Sequence, residues 1–176
     1  MDLLTELDYA AKPTTRVQRR VQRLASSAWA GSLLSRTLYR LDKALFRVSN
    51  GRHTAASLLA GLPVILLTTI GAKTGRARTT PLLGIPIDGH LAVIGSNFGT
   101  AATPGWAYNL EADPAATVEY RGRVVPVTAR RTSTGETERA FDLASAVYAA
   151  FPAYRERAAH RDIRVFILGR SDRASG

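Results

Sequence analysis

Three cations crowd one short glycine-flanked stretch: Lys73, Arg76 and Arg78 within Gly71-Ala72-Lys73-Thr74-Gly75-Arg76-Ala77-Arg78. Glycines let a backbone turn so that successive N–H groups can face an anion. Lys73 supplies a point charge, and the guanidinium groups of Arg76 and Arg78 suit bidentate binding of phosphate or carboxylate. Lysine occurs only at positions 12, 43 and 73 in an arginine-rich chain, which singles out Lys73. On spacing alone the stretch reads equally as an anion-binding loop or as an ordinary basic hairpin. A second group runs from Ser96 to Asn109. There a Gly/Thr/Ala-rich loop leads into a helix with Trp106 in its first turn, where free N–H groups favour acceptor atoms. The Trp106 indole is either a platform for a planar ring or a plain core side chain.

Other chemistries fail on spacing. Gly71-Ala72-Lys73-Thr74 resembles the end of a phosphate-binding P-loop, but positions 67 and 72 are leucine and alanine where glycines are required, and the stretch leads into a strand. Gly95-Ser96-Asn97-Phe98-Gly99 is no nucleophile elbow, since its serine directly follows the first glycine. His53, His90 and His160 stand apart, so no metal site is expected. The absence of cysteine removes thiolate catalysis, disulfides and cysteine-ligated metals. No glycine-rich dinucleotide fingerprint follows a strand.

The elements that carry these residues read as α+β. Residues 14–30 and 32–48 suit helices; in the second, Leu34, Leu38, Leu41, Leu45 and Val48 form a stripe, with Arg36, Arg40, Lys43 and Arg47 on another face. That helix either packs on the domain with a solvated basic face, or lies on an anionic membrane surface or flanks an anionic ligand. Val64–Ile70 reads as a buried strand following a loop, although Ala55–Ala72 carries no charge and imitates a membrane span. Strands are expected at 78–87 and 91–95 around an Asp88-Gly89 turn, and at 117–120 and 124–128 around Arg121-Gly122. Pro126 suggests an edge position. Thr103-Pro104 reads as an N-cap and first helical residue, with Asp113-Pro114 as the stop. Ser133-Thr134-Gly135-Glu136 is a capping box for another helix. After Phe151-Pro152 a strand at 163–168 and a polar tail, 171–176, are expected. Five or six hairpin-connected strands make a small antiparallel barrel at 51–170, with helices outside and a helical extension at 1–50. The acidic N-terminus lacks the basic start of a signal peptide, so a cytoplasmic location is expected. The net charge of +10 is densest in residues 1–50.

The run from Leu67 through Gly71-Ala72-Lys73-Thr74-Gly75-Arg76-Ala77-Arg78 to Leu82 resembles the deazaflavin-dependent nitroreductase family. Agreement continues through Ser96, Pro104-x-Trp106, Asn109-Leu110, Asp113-Pro114, Val127-Thr128-Ala129-Arg130 and Pro152-x-Tyr154, over roughly residues 60–168. The family uses the 8-hydroxy-5-deazaflavin coenzyme F420 on a split β-barrel of the FMN-binding type. The resemblance implies that Lys73, Thr74, Gly75 and Arg78, helped by Arg76, hold the coenzyme's phosphate and the start of its polyglutamate tail. It places Ser96 at the ring, and Trp106 and Asn109 around the ring pocket. It further implies hydride transfer to an electron-poor acceptor: a quinone, enone, activated alkene or nitro compound. Ser96 and Tyr154 then serve as hydrogen-bonding proton donors. Ala72 replaces an expected arginine, Asn97 an expected lysine, and Phe151 and Arg157 replace tyrosines that lie over the substrate in some members. The resemblance therefore speaks for the cofactor more than for the acceptor. The rival expectations are an FMN-binding split barrel, or a non-catalytic basic module on an anionic membrane. Nucleic acid is not an expected partner, because aromatics interleaved on a basic sheet are missing. Neither the acceptor nor the oligomeric state follows from these residues.

Overall fold

The computed structural model describes residues 2–9, 63–97, 100, 102–148, 151–157, 160 and 162–171. The helices expected at 14–30 and 32–48 lie outside these residues.

One antiparallel sheet holds seven strands: β1 (Val64–Ile70), β2 (Ala77–Leu83), β3 (Ile85–Ile87), β4 (His90–Ile94), β5 (Ala115–Tyr120), β6 (Arg123–Arg131) and β7 (Val165–Arg170). Their spatial order is β2-β1-β5-β6-β7-β4-β3. β2 and β3 hold opposite ends of that order, yet only Gly84 separates them in sequence. One extended segment thus changes partners, and the sheet curls into a split barrel. This corrects the expectation of a single strand over 78–87, and it raises the count from five or six strands to seven. The reason is steric. A Cβ at Gly84 would lie 2.9 Å from the Tyr9 hydroxyl and 3.1 Å from Ile65 Cγ2. The Tyr9 hydroxyl donates to the Gly84 carbonyl at 2.6 Å, so the bend is tied to the N-terminal segment.

Both hairpin turns follow from their residues. Asp88 and Gly89 have φ of 47° and 78°, and Arg121 and Gly122 have 51° and 82°. Positive φ at both central positions matches the right-handed twist of the strands they join. Pro126 lies in β6, an interior strand, where an edge was expected. It pairs with Thr117 of β5, while its carbonyl accepts from Ser171 just beyond the end of β7. On that side β6 has outrun its neighbour, so proline costs no ladder bond.

Four described helices flank the sheet: α1 (Leu3–Leu7), α2 (Gly105–Ala112), α3 (Thr134–Val147) and α4 (Phe151–Arg157). The barrel interior is filled by Ile65, Leu67, Leu91, Val93, Val118, Val127, Phe166 and Leu168, closed by Leu3 and Leu7 of α1 and by Trp106 and Leu110 of α2. A second core forms outside, where Phe141 and Ala144 of α3 and Phe151 of α4 cover Ile85, Ile87, Ala92 and Ile167. α3 begins at the capping box expected at Ser133–Glu136. α4 was not expected, because Phe151-Pro152 looked like a break; proline is tolerated in a first helical turn, where its missing N–H has no acceptor. β7 runs two residues later than the expected 163–168. Among the described residues no helix is long and apolar enough to cross a membrane, and the apolar run before Gly71 is strand β1.

Candidate functional site

Lys73 and Arg76 sit in the connection between β1 and β2, and Arg78 lies inside β2. The Gly71 N–H donates to the Arg76 carbonyl at 2.9 Å, and the N–H groups of Thr74 and Gly75 both turn back to the Gly71 carbonyl. Gly75 takes φ of 62°, the left-handed region that favours glycine. A Cβ at Gly71 would lie 2.7 Å from Thr74 Oγ1 and 3.3 Å from Arg78 Nε, so this glycine makes room for both side chains. Arg78 pairs in register with Thr69, which is 1% exposed; paired residues share a face, so Arg78 points to the inner side at the barrel rim.

The backbone does not form the anion nest suggested by its glycines. The N–H groups of Gly71, Thr74 and Gly75 are spent within the loop, and that of Ala72 donates to Asn109 Oδ1 at 3.0 Å. The available chemistry is in the side chains. Lys73, Arg76 and Arg78 are exposed and make no ion pair among the described residues. Arg130, Arg131, Arg139, Arg155, Arg164 and Arg170 each have an acidic partner. Three uncompensated cations on one short hairpin repel each other, and a polyanion relieves that cost.

α2 connects this loop to the other expected residues. Asn109, near its C-terminal end, is buried against β1 and the loop. At its start, Pro104 packs where a Cβ at Gly95 would meet its Cγ at 3.5 Å, and Ser96 follows Gly95 directly. Five residues of helix separate Pro104 from Asn109, roughly 7 to 8 Å along the axis. The cationic loop and Ser96 therefore lie toward opposite ends of α2, an arrangement suited to an extended ligand with one anionic end. The helix starts one residue later than expected: Pro104 is the N-cap, and no side chain caps the first turn. Ser96 is 7% exposed.

Trp106 resolves to core. It is 5% exposed and meets Phe166 edge-on, with ring centroids 5.9 Å apart. It is a packed core side chain, not an open stacking platform. Tyr154 belongs to α4, which Phe151 anchors in the outer core. The sequence reading missed two features. The Asn97 side chain donates to Thr100 Oγ1 at 2.7 Å and to the Ala102 carbonyl at 2.9 Å, so the residue replacing a lysine shapes the loop before α2. Glu111 of α2 pairs with Arg131 of β6 at 3.2 Å and with Arg164 at 2.8 Å, which braces the helix from its other side. The partners of Glu111 are distant in sequence, so no local pattern marks them, whereas those of Asn97 lie within the next five residues.

Comparison with known proteins gives the family. The profile of the F420H(2)-dependent quinone reductases matches residues 38–170. A quinone reductase of that description from Mycobacterium tuberculosis is 33% identical over 104 residues, 59% of this chain and 69% of the relative. A putative counterpart from Mycobacterium bovis matches over the same length and identity. Among solved structures, an F420-H2 dependent reductase (FDR-A) superposes with a TM-score of 0.55 at 34% identity, over 60% of this chain and 93% of that one. Another, described as a domain-swapped dimer, reaches 0.57 at 29% identity, covering 78% of this chain and 99% of the other.

Proposed function

This chain belongs to the F420H(2)-dependent quinone reductase family, and from that premise we propose that it delivers a hydride from reduced coenzyme F420 to a quinone, with Lys73, Arg76 and Arg78 gripping the coenzyme's anionic end. It is an oxidoreductase and its cofactor is coenzyme F420. The observation that carries the site assignment is a short hairpin with three exposed cations and no acidic partner among the described residues, tied to α2 through the buried Asn109.

The bound deazaflavin supplies the redox chemistry, as a hydride donor. The chain's residues do the rest. Lys73 gives a compact charge, and Arg76 and Arg78 give forked donors for phosphate and carboxylate oxygens. Thr74 and Gly75 set the loop's turn. Ser96, held at the end of β4 beside the start of α2, is in our reading the hydrogen-bond donor at the ring. A serine hydroxyl is too weak an acid to protonate by itself, so its task is to orient the acceptor oxygen while Ser96 Oγ or Tyr154 relays a proton from solvent. Trp106 packed on Phe166 keeps the pocket wall rigid and excludes water from that side.

Fluorescence titration with coenzyme F420 tests the grip. Lys73→Ala with Arg78→Ala should weaken binding about a hundredfold, because each removes a charge-assisted contact; unchanged affinity contradicts the assignment. A lipid-soluble acceptor also gives the basic stripe Arg36, Arg40, Lys43 and Arg47 a role at the cytoplasmic face of an anionic membrane. Reversing those four charges in the full chain should abolish co-flotation with anionic liposomes; equal partitioning rules out that contact.

A further inference from the structure

We propose that Asn109 is a positioning residue, a clasp that locks the cationic loop to α2 and so fixes the anion grip relative to the ring end of the site without itself touching the coenzyme. The functional consequence rests on the deazaflavin reading; the clasp itself rests on geometry. Asn109 is 8% exposed. Its Oδ1 accepts from the Ala72 N–H at 3.0 Å, and its Nδ2 donates to Thr69 Oγ1 at 3.0 Å. A backbone N–H can only donate, so the oxygen must face Ala72, which settles the amide's orientation from the network. Each end of the side chain therefore has a partner inside the protein. Ala72 lies one residue before Lys73, and Thr69 is the register partner of Arg78. One amide thus holds the backbone next to Lys73 and the side chain of Arg78's register partner.

The loop has no comparable tie to the rest of the molecule among the described residues. Its other backbone bonds close on itself. α2 is in turn anchored by Trp106 and Leu110 in the barrel core and by Glu111 to Arg131 and Arg164. Without Asn109, the hairpin would pivot about the end of β1, and its charges would have to be ordered when the ligand binds. Such ordering is charged against affinity.

The test uses two variants of the full chain and two probes: coenzyme F420, and its 8-hydroxy-5-deazaflavin analogue lacking the phosphate and tail. Asn109→Leu removes the clasp. Thr69→Val is nearly isosteric and removes only the acceptor for Nδ2; at 1% exposure Thr69 cannot reach a ligand, so its effect must pass through Asn109. Asn109→Leu should weaken coenzyme F420 about tenfold or more while changing the phosphate-free probe by less than about threefold, since the effect falls on the anion grip. Thr69→Val should follow the same pattern more weakly. Hydrogen exchange should show the Ala72 amide losing protection in Asn109→Leu while the Val118 and Leu168 amides keep theirs. Equal losses for both probes would mean that Asn109 contacts the ring and would overturn the clasp, as would unchanged binding of both. If the wild-type chain bound neither probe, the deazaflavin reading would fall, and Ala72 exchange alone would decide: lost protection upholds the clasp, unchanged protection refutes it.

Discussion

Glu136 shows how far a single side chain can be traced from sequence to energetics. Its carboxylate accepts from the Ser133 N–H at 2.9 Å, completing the capping box, and from Arg130 Nη1 at 2.9 Å. The Arg130 guanidinium, with the Ser133 amide behind it, pulls the carboxyl from its ordinary 4.5 down to about 2. A depressed folded-state pKa stabilises the protein above the unfolded value and loses that contribution as pH falls. Glu136→Gln should therefore lower the urea midpoint at neutral pH, and the gap to wild type should close as pH drops from about 5 toward 2. A gap that stayed constant across that range would show that the pair does not hold the proton off. Half of this site was legible. The capping box is local and reads directly from Ser133-Thr134-Gly135-Glu136, whereas Arg130 belongs to a strand whose end the pattern placed too early. Asn109 repeats the lesson. Its family position was readable, but its partners lie 37 and 40 residues away, and no periodicity reports such a contact. Trp106 was left open between platform and core, and only packing against Phe166 decided it.

Among elements, the hairpins were the most legible, because Asp88-Gly89 and Arg121-Gly122 need positive φ and announce it by residue type. The β2–β3 segment was not. Its alternation continues through Gly84, and the change of partner depends on Tyr9 arriving from the far end of the chain. The β1–β2 connection was located correctly as cationic, but its glycines serve the side chains and the turn, not a backbone nest. That yields a sharp expectation for Gly71→Ala. The new methyl would meet Thr74 Oγ1 at 2.7 Å, the Arg76 carbonyl at 3.2 Å and Arg78 Nε at 3.3 Å. The hairpin must shift, costing about 1 to 2 kcal/mol of stability. Coenzyme affinity should fall several-fold beyond what that loss of stability explains. Titration of the folded variant at low temperature checks this, and an unchanged Kd would mean that the loop tolerates the shift.

For the whole molecule, the sheet closes around one core and carries a second on its outer face, and the N-terminus joins the first. Leu3 and Leu7 are fully buried beneath the barrel although nothing in the acidic opening sequence advertised a core helix. Leu7→Ala should cost about 2 to 5 kcal/mol, as for other buried leucines; a loss below about 0.5 kcal/mol in chemical denaturation would show that α1 is not part of the cooperative unit. The family and cofactor were legible because blocks of residues recur in order over most of the chain. The acceptor was not, because Phe151 and Arg157 stand where some family members carry the tyrosines that lie over the substrate. The most direct measurement of the central claim is a donor comparison with one quinone acceptor, following oxidation of reduced coenzyme F420, NADPH and reduced FMN in parallel. The account predicts enzyme-dependent quinone reduction with reduced coenzyme F420 and background rates with the other two. Equal turnover with NADPH or FMN, or no oxidation of the deazaflavin, would contradict it.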